Sequence, residues 1–366
     1  MIDETVDLLG IGCSEQLGLV KQGDLAGRYA ELLETATGDR RLARRATLLF
    51  SRAGVSTRRV ALSKDGVWDP FRLYAGADLP STAERMEVYR SIAPELAVEA
   101  ARAALQNAGV DPHEVGSLVV ATCTGLGDPD FDVELISRLG FAEDVERSQL
   151  VWMSCSGAFP AIRVARRSSR IHRRPSVVIC VELCSLHVRA DDDLGSALAH
   201  ALFADGAAAL VVGPPSTAPS LARLGRGATR LVISERESLT WRFTDHGFRA
   251  NLSRELPEQI GRACSLFLPE ALCLAPGDVD AWAVHPGGPA ILDALENSLG
   301  LSSEVLACSR DVLRTHGNMS SPTVLYVLRE QLKKMQRADR GLMLGFGTGL
   351  TLEGVPFVRG ARAYEA

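Results

Sequence analysis

Three residues able to take part in acyl transfer stand at separate points of the 366-residue chain, each within two residues of a glycine. The first, Cys155, follows an apolar strand-like run and precedes a predicted helix that starts near Gly157. A thiol at a helix N-terminus faces unpaired backbone N–H groups and the positive end of the helix dipole, which favour the thiolate. The position therefore predicts a nucleophile, although a buried structural cysteine is the alternative if this residue is taken alone.

The other two residues are a histidine and an asparagine. His285 ends a predicted buried strand and is followed by Gly287 and Gly288, which let the backbone approach a ligand closely. Asn318 follows a glycine and precedes a helix predicted to begin near Ser321. Taken singly, the histidine could be satisfied at a strand end and the asparagine could be a helix cap.

Together the three side chains predict a decarboxylating condensation. Cys155 would carry an acyl group as a thioester. His285 and Asn318 would hold the thioester carbonyl of a malonyl-type substrate and stabilise the enolate formed on loss of carbon dioxide. A His285 imidazolium would also keep the thiolate ionised during loading. This chemistry needs no metal, and the eight cysteines show no CxxC pair or cluster with histidine that would indicate zinc.

Composition excludes several other classes of protein. With 46% hydrophobic and 23% charged residues, the chain can bury a large core. A net charge of -5 gives no global reason to expect a nucleic-acid partner or an acidic membrane surface. The stretch from Ala197 to Gly213 is interrupted by His200 and Asp205, so it predicts a buried helix and strand rather than a membrane span. The acidic first residues do not resemble a secretory signal, and we expect a cytoplasmic protein.

Short β-rich runs alternate with alanine-rich helical stretches, which predicts a layered α/β architecture. A helix is expected over Pro94 to Ala108, where apolar residues keep the spacing of one helical face. The predicted strands are Ser117 to Thr122, Val177 to Val181, Ala208 to Val212, Ala281 to Val284, Leu342 to Phe346 and Thr351 to Phe357.

A weak internal repeat relates AALQNAGVDPHEVGSLVVATCTG to LPEALCLAPGDVDAWAVHPGG, because both read as helix, break, acidic turn, buried strand and glycine. Any α/β protein could offer such a pair, so duplication and coincidence both stay open. If duplication is correct, residues 1–215 form a half that carries the cysteine and residues 216–366 a half that carries the histidine and asparagine. The Pro- and Gly-rich stretch from Gly213 to Gly227 would join them.

Several motifs resemble those of the type III polyketide synthases, the family that includes the plant chalcone and stilbene synthases and many bacterial enzymes. They are FADGAAALVVG, WAVHPGGPAILDALE, THGNMSSPTVLYVL and GFGTGLTLEGV, in the family's order and over most of the chain. The resemblance implies a thiolase-like five-layered αβαβα fold from two duplicated halves and a homodimer. It also implies an acyl-CoA starter loaded on Cys155 and extended with malonyl-CoA by decarboxylative Claisen condensation, with coenzyme A thioesters as substrates and no cofactor.

The resemblance also implies a substrate tunnel. Phe203 and Phe248 would stand at its mouth near the triad, and Arg45 and Arg52 would meet the nucleotide phosphates, although a solvated basic helix face is an alternative for the arginines. The remaining residues implied in substrate binding are Cys123, Leu239, Gly287, Gly288, Ala290 and Ser320.

Four positions depart from the family's pattern or vary within it. Ser154 stands where a glycine usually precedes the nucleophile, and SCSGAF is similar to the ketoacyl-carrier-protein synthases that initiate fatty acid synthesis. Thr348 replaces a proline of GFGPGL, Cys123 replaces a threonine of plant enzymes, and Leu239 replaces a glycine, which would narrow the cavity. Two alternatives therefore stay open: a single-condensation ketosynthase supplied by an acyl carrier protein, and a non-catalytic partner subunit with the same fold.

Overall fold

Valine-, isoleucine- and alanine-rich runs form the buried strands, because such side chains suit strands covered on both faces. The computed structural model describes residues 5–61, 79–125, 127, 131–190 and 193–364. In the N-terminal part the elements are β1 Val6–Cys13, β2 Gly18–Lys21, α1 Gln22–Thr37, α2 Arg40–Arg52, β3 Thr57–Val60, α3 Thr82–Ala108, β4 Ser117–Thr122, α4 Phe131–Leu139, β5 Glu146–Val151, α5 Ala158–His172, β6 Ser176–Leu183, α6 Leu194–Leu202 and β7 Asp205–Gly213. In the C-terminal part they are β8 Ala222–Leu224, β9 Ala228–Leu231, β10 Leu239–Thr244, β11 Gly247–Leu252, α7 Leu256–Phe267, β12 Ala281–Val284, α8 Pro289–Leu299, α9 Ala307–His316, α10 Thr323–Lys334, β13 Arg340–Gly347 and β14 Thr351–Arg359.

The structure confirms all six predicted strands and the buried helix and strand of α6 and β7. The predicted helix over Pro94 to Ala108 is confirmed but incomplete, since α3 begins at Thr82. A capping box between Ser81 and Glu84 starts this helix, and Pro94 lies inside it. The predicted start at Pro94 is therefore wrong, and the helix contains in its interior a residue that usually interrupts helices.

One hydrogen-bonded sheet runs through both halves in the order β12-β13-β14-β8-β1-β7-β6-β4-β5, with β9 also paired to β14. Each half contains a parallel pair followed by an antiparallel strand: β4 and β6 with β7, and β12 and β13 with β14. The short strand β8 pairs with β1 on one side and β14 on the other. It therefore joins the two groups of strands.

Alternate strand residues divide the core into layers. Val119 of β4 and Met343 of β13 face a central cluster that contains α5 and α10. Leu118 faces a second cluster with α3 and α4, while Leu342 faces a third with α7 and α8. The order is helices, strands, central helices, strands and helices, which confirms the predicted five-layered αβαβα fold. Within the described residues, no helix combines the length and apolarity needed to cross a bilayer.

Candidate active site

Cys155 lies on a tight turn between β5 and the N-terminus of α5. A 3₁₀ turn over Ser154–Ser156 leads directly into the helix. Trp152 and Ser154 have φ angles of 62° and 53°, in the left-handed region that favours glycine. Ser154 thus occupies a strained backbone position, and its side chain hydrogen-bonds to the Cys155 thiol.

Asn318 is held by backbone bonds between two segments. Its N–H donates to the Leu202 carbonyl at 2.9 Å, and its carbonyl accepts from Ala204 N–H at 2.8 Å. Its side-chain Oδ1 accepts from Ser320 N–H at 2.8 Å. Because Oδ1 is thereby engaged, Nδ2 is the atom directed towards the Gly287 carbonyl, at a long 3.4 Å. The carboxamide therefore keeps a fixed orientation with a weakly used donor.

His285 directly follows β12, and its N–H donates to Leu344 of β13 at 2.8 Å. The side chain is buried, with 1% of its surface exposed. Among the described residues, no hydrogen-bond partner faces either ring nitrogen. Burial lowers the pKa of His285 to about 3, which makes the imidazole neutral near pH 7. Burying both ring nitrogens without hydrogen bonds costs free energy of folding, which favours a role for His285 in binding a ligand.

The three predicted triad residues are linked by a chain of contacts. The Cys155 thiol hydrogen-bonds to the side chains of Asn318 and Ser320. Asn318 Nδ2 approaches the Gly287 carbonyl, and Gly287 N–H donates to the His285 carbonyl at 3.1 Å. Distant segments of the chain thus bring a thiol, a carboxamide and the loop that carries the imidazole into one buried region.

The charge state of Cys155 differs from the sequence-based expectation. Burial raises its pKa to about 11, hydrogen bonds from Ser320, Ser154 and Asn318 lower it, and the Glu182 carboxylate raises it further. The predicted position at a helix N-terminus is confirmed, but the resting group is a neutral thiol rather than a thiolate. His285 is likewise neutral at rest, and the imidazolium predicted for the loading step stays a prediction.

Sequence reasoning missed Glu182, a fully buried carboxyl behind the cysteine. It accepts hydrogen bonds from Ser321 Oγ at 2.6 Å, Thr124 Oγ1 at 2.7 Å and Cys123 N–H at 2.9 Å. Burial raises its pKa. The available signal was an acidic residue at the end of the otherwise apolar strand SVVICVEL. Cys123 Sγ contacts both Glu182 Oε1, at 3.3 Å, and Ser320 Oγ, at 3.4 Å, which places both predicted pocket residues beside the nucleophile.

The two phenylalanines predicted at the tunnel mouth, Phe203 and Phe248, line one small cavity. The ring packed against Phe203 is Trp241, with centroids 5.6 Å apart. Phe248 instead stacks on His187 at 3.9 Å. The sequence reading missed Trp241, whose signal was the aromatic alternation of LTWRFT in β10.

The sequence analysis also did not identify Arg58, a buried arginine near the site. Arg58 donates to the carbonyls of His200 at 2.8 Å, Ala201 at 3.1 Å and Phe203. These bonds fix the end of α6, which in turn carries the backbone bridge between Phe203 and Asn318. Arg58 therefore supports the position of the asparagine through the backbone.

The remaining predicted substrate residues fall into two groups. Gly288 is buried, Gly287 is half-buried and Ala290 is exposed, all at or beside the N-terminus of α8. Arg45 and Arg52 are exposed on α2, whose Phe50 lines a second small cavity shared with Phe203. Leu239 packs in the cluster with α7 and α8. Leu239 is not among the described residues that line the two cavities beside Phe203.

Comparison with known proteins identifies the family. The N-terminal domain of chalcone and stilbene synthases matches residues 3–216, and the C-terminal domain of the same family matches residues 224–360. The chain belongs to the chalcone and stilbene synthase family. It is a type III polyketide synthase, a condensing acyltransferase.

Individual relatives agree with this assignment. The chain is 31% identical to the alpha-pyrone synthesis polyketide synthase-like Pks18 of Mycobacterium tuberculosis over 360 residues, covering 95% of this chain and 90% of that protein. It is 32% identical to the type III polyketide synthase 21 of Oryza sativa subsp. japonica, covering 96% and 92%. The crystal structure of PKS-I from the brown alga Ectocarpus siliculosus matches with a TM-score of 0.86 and 27% identity, over 98% of this chain and 100% of that one. The C-terminal type III polyketide synthase domain of Steely1 from Dictyostelium matches with a TM-score of 0.88 and 25% identity, over 97% and 99%.

The family acts on coenzyme A thioesters. All eight cysteines are free thiols. Within the described ranges, no group of three or more His, Cys, Asp or Glu side chains is arranged to hold a metal ion.

Proposed function

We propose that this polyketide synthase loads an acyl-CoA starter on Cys155 and extends it with malonyl-CoA, using His285 and Asn318 to stabilise the enolate. The observation that carries the proposal is the buried contact between the Cys155 thiol and the Asn318 carboxamide, beside a histidine with two unpartnered ring nitrogens. These groups match the nucleophile and oxyanion donors that decarboxylative condensation needs.

In the loading step, Cys155 Sγ attacks the thioester carbonyl of the starter, and the coenzyme A thiol leaves. Since the resting thiol and imidazole are neutral, the proton passes from Sγ to His285 as the carbon–sulfur bond forms. It then passes to the departing thiolate. Ser154, Ser320 and Asn318, which hydrogen-bond to the sulfur, ease this ionisation.

In the extension step, the malonyl carbon–carboxylate bond breaks, carbon dioxide leaves and the electron pair forms an enolate. A neutral His285 N–H and Asn318 Nδ2 donate to the enolate oxygen. The 3.4 Å contact to the Gly287 carbonyl is weak, so the amide can exchange it for the oxyanion at little cost. The enolate carbon then attacks the acyl carbonyl on Cys155, and the sulfur leaves as the new carbon–carbon bond forms.

The coenzyme A arm is proposed to enter past α2 and the N-terminus of α8, with Arg45 and Arg52 at the phosphates and Gly287, Gly288 and Ala290 along the arm. This is supported by the exposed position of both arginines and by Gly54, at the end of the α2 segment, whose added Cβ would lie 2.7 Å from Pro289 of α8. The two segments are therefore neighbours.

We also propose that the chain forms a homodimer through β5. This strand is at the end of the sheet, and among the described strands only β4 pairs with it. Val151 and Met153, at and just after its end, are 37% and 36% exposed. An open strand edge with apolar neighbours is a template for pairing with another chain. Light scattering after gel filtration tests this, with Val151→Lys expected to give monomers.

The function is tested by incubating the purified protein with malonyl-CoA and a panel of acyl-CoAs. Carbon dioxide, free coenzyme A and an acylated Cys155 peptide are expected, and Cys155→Ala should abolish the acylated peptide. Cys273→Ala is the matched control, because this cysteine is exposed, whereas Cys155 is buried. No turnover across the panel would contradict the proposal.

Product mass decides how many extensions occur. More than one acetate-derived unit per starter supports a polyketide synthase and excludes strict single condensation. Replacing acyl-CoA with an acylated carrier protein tests the delivery of the starter. The duplication of the halves 1–215 and 216–366 is a proposal supported by their matching strand arrangements. A cytoplasmic location stays a prediction.

A further inference from the structure

Helix α2 presents one of its faces to solvent. Its other face is buried in a cluster with α1 and α6, to which Leu42 and Phe50 contribute. The exposed residues Arg41, Arg44, Arg45, Leu48 and Arg52 are called here the α2 face. They follow the i, i+3, i+4, i+7, i+11 spacing of a single helical stripe, which is about 16 Å long at 1.5 Å per residue.

The α2 face is a local concentration of positive charge on a chain whose net charge is -5. The sequence from Arg40 to Val60 contains seven arginines and no aspartate or glutamate. Three of the seven are already engaged, since Arg40 and Arg59 each pair with a glutamate and Arg58 is buried. Within the part of the chain that the structure describes, the four arginines of the α2 face form no side-chain hydrogen bond or ion pair. Their charge is therefore available to a partner.

The α2 face extends beyond what the proposed coenzyme A site uses. Arg45 and Arg52 are proposed at the nucleotide phosphates, which leaves Arg41, Arg44 and Leu48 without a role. Leu48 is 55% exposed and has arginines of the same stripe on both sides. An apolar centre with a charged rim is the anatomy of a protein–protein contact, and nucleotide phosphates offer nothing to the leucine. The stripe therefore favours an acidic protein surface about three helical turns long.

The position of the α2 face suits the delivery of an acyl group. Gly54, two residues after α2, is close to the N-terminus of α8, because its added Cβ would lie 2.7 Å from Pro289. Gly287 and Gly288, on the proposed path of the pantetheine arm, directly precede that proline. A partner docked on α2 is thus beside the proposed entrance for the arm.

We propose that the α2 face docks an acidic acyl carrier protein, which presents the starter on a phosphopantetheine arm at the entrance proposed for coenzyme A. The inference rests on the proposed function, because Cys155 must accept the acyl group. Cys155 Sγ attacks the thioester carbonyl, the bond from the acyl carbon to the arm's sulfur breaks, and the proton of Cys155 ends on that sulfur. Since the chain as a whole is negative, attraction at α2 and repulsion elsewhere orient an acidic partner.

Binding is measured by fluorescence anisotropy with the labelled acyl carrier protein of bacterial fatty acid synthesis, at low and high ionic strength. Saturable binding that weakens as salt is added is expected. Arg41→Ser with Arg44→Ser should raise the Kd at least fivefold, and Leu48→Ser should raise it at least threefold without changing the salt dependence. Arg167→Ser with Arg337→Ser is the matched control, because it removes the same charge from other exposed positions and should leave the Kd unchanged. No saturable binding, or an equal effect of both arginine pairs, would overturn the proposal.

The acylation of Cys155 separates the carrier protein from coenzyme A. Its rate is measured by mass spectrometry with the same acyl group presented on either donor. The variant that lacks Arg41 and Arg44 should be acylated at least fivefold more slowly by the carrier protein, and within twofold of the unmodified protein by acyl-CoA. An equal loss with both donors would assign these arginines to the nucleotide and refute the docking site. No acylation by either donor contradicts the proposed function instead, while the anisotropy measurement still decides the docking.

An anionic membrane is the other kind of surface that a basic helix face attracts. The protein is therefore sedimented with vesicles of phosphatidylglycerol, and it should stay in the supernatant. Sedimentation with the vesicles that is lost in the variant lacking Arg41 and Arg44 would replace the carrier protein by a membrane as the partner. Thermal unfolding confirms that each variant is folded.

Discussion

Replacement of Asn318 by alanine separates the two steps of the reaction. The change removes Nδ2, the proposed donor to the enolate oxygen, and loss of one such donor costs about 100- to 1000-fold in rate, or about 2.7–4 kcal/mol. Starter loading should fall only a few-fold, because Cys155 and His285 remain and the sulfur loses one of three hydrogen bonds that favour its ionisation. Asn318→Ala should therefore load the starter only slightly more slowly and decarboxylate poorly.

The same change has a structural cost that must be measured separately. Removing Oδ1 leaves the Ser320 N–H without its acceptor, which costs about 1–3 kcal/mol of stability. The backbone bonds of residue 318 to Leu202 and Ala204 do not involve the side chain, so the fold should persist. Asn107→Ala is the matched control, since Asn107 Oδ1 likewise accepts a backbone N–H, from Ile11 at 3.3 Å, at the end of α3.

Two assays give the answer: acetyl-CoA formed from malonyl-CoA in the absence of starter, and the rate at which a labelled acyl group appears on Cys155. The asparagine variant should lose the first activity and keep the second, while the control keeps both despite a lower melting temperature. Equal losses of both activities in Asn318→Ala, or undiminished decarboxylation, would refute the assigned role.

Three further outcomes follow from the packing. In Gly347→Ala the new Cβ would lie 2.2 Å from Ser156 Oγ, so the turn that carries Cys155 must shift. The rate of acylation of Cys155 should fall at least tenfold. Gly277→Ala is the control, because an added Cβ there has nothing within 4 Å, and it should behave like the unmodified protein. Burial lowers the pKa of His187 to about 3, below its unfolded value near 6.5, so protonation favours the unfolded state and lowering the pH from 7 to 5 costs about 2 kcal/mol. Urea unfolding at both pH values should show a smaller difference in His187→Gln, and an unchanged difference would contradict this cause. Trp241→Ala should enlarge the space beside Phe203, so that longer starters are accepted and the product masses shift upward. An identical product spectrum would exclude a role of Trp241 in setting the length of the polyketide.

The strands and their layers were predictable because burial on both faces leaves a continuous apolar signal. Val177 to Val181 and Ala281 to Val284 are such runs, and both are strands. The start of α3 was not predicted, since the expected helix began at Pro94 and the capping box of Ser81 and Glu84 was not recognised. A capping box favours a helix and an interior proline disfavours one, and which effect prevails depends on the tertiary packing of the segment.

The site, like the fold, has features that the sequence predicts and others that depend on tertiary packing. Glycine-flanked motifs pointed to Cys155, His285 and Asn318 as candidates, and the fold brings the segments that carry them into one buried region. The charge states could not be read from the motifs, since the pKa of Cys155 depends on burial and on Glu182, which is distant in sequence. Nor could the partner of Phe203 be identified, because Trp241 reaches it from a hairpin whose register only the folded chain defines.

The three-residue strand β8 makes the unfolding of the two halves interdependent. By pairing with β1 through Leu224, Arg223 and Ala222 and with β14 through the same residues, it closes a single ladder across both halves. Neither half can then melt without exposing the edge of the other, together with the shared apolar layer between them. Calorimetry should record one endotherm for the whole chain, and fragments cut in the loop before β8 should stay associated rather than behave as autonomous modules.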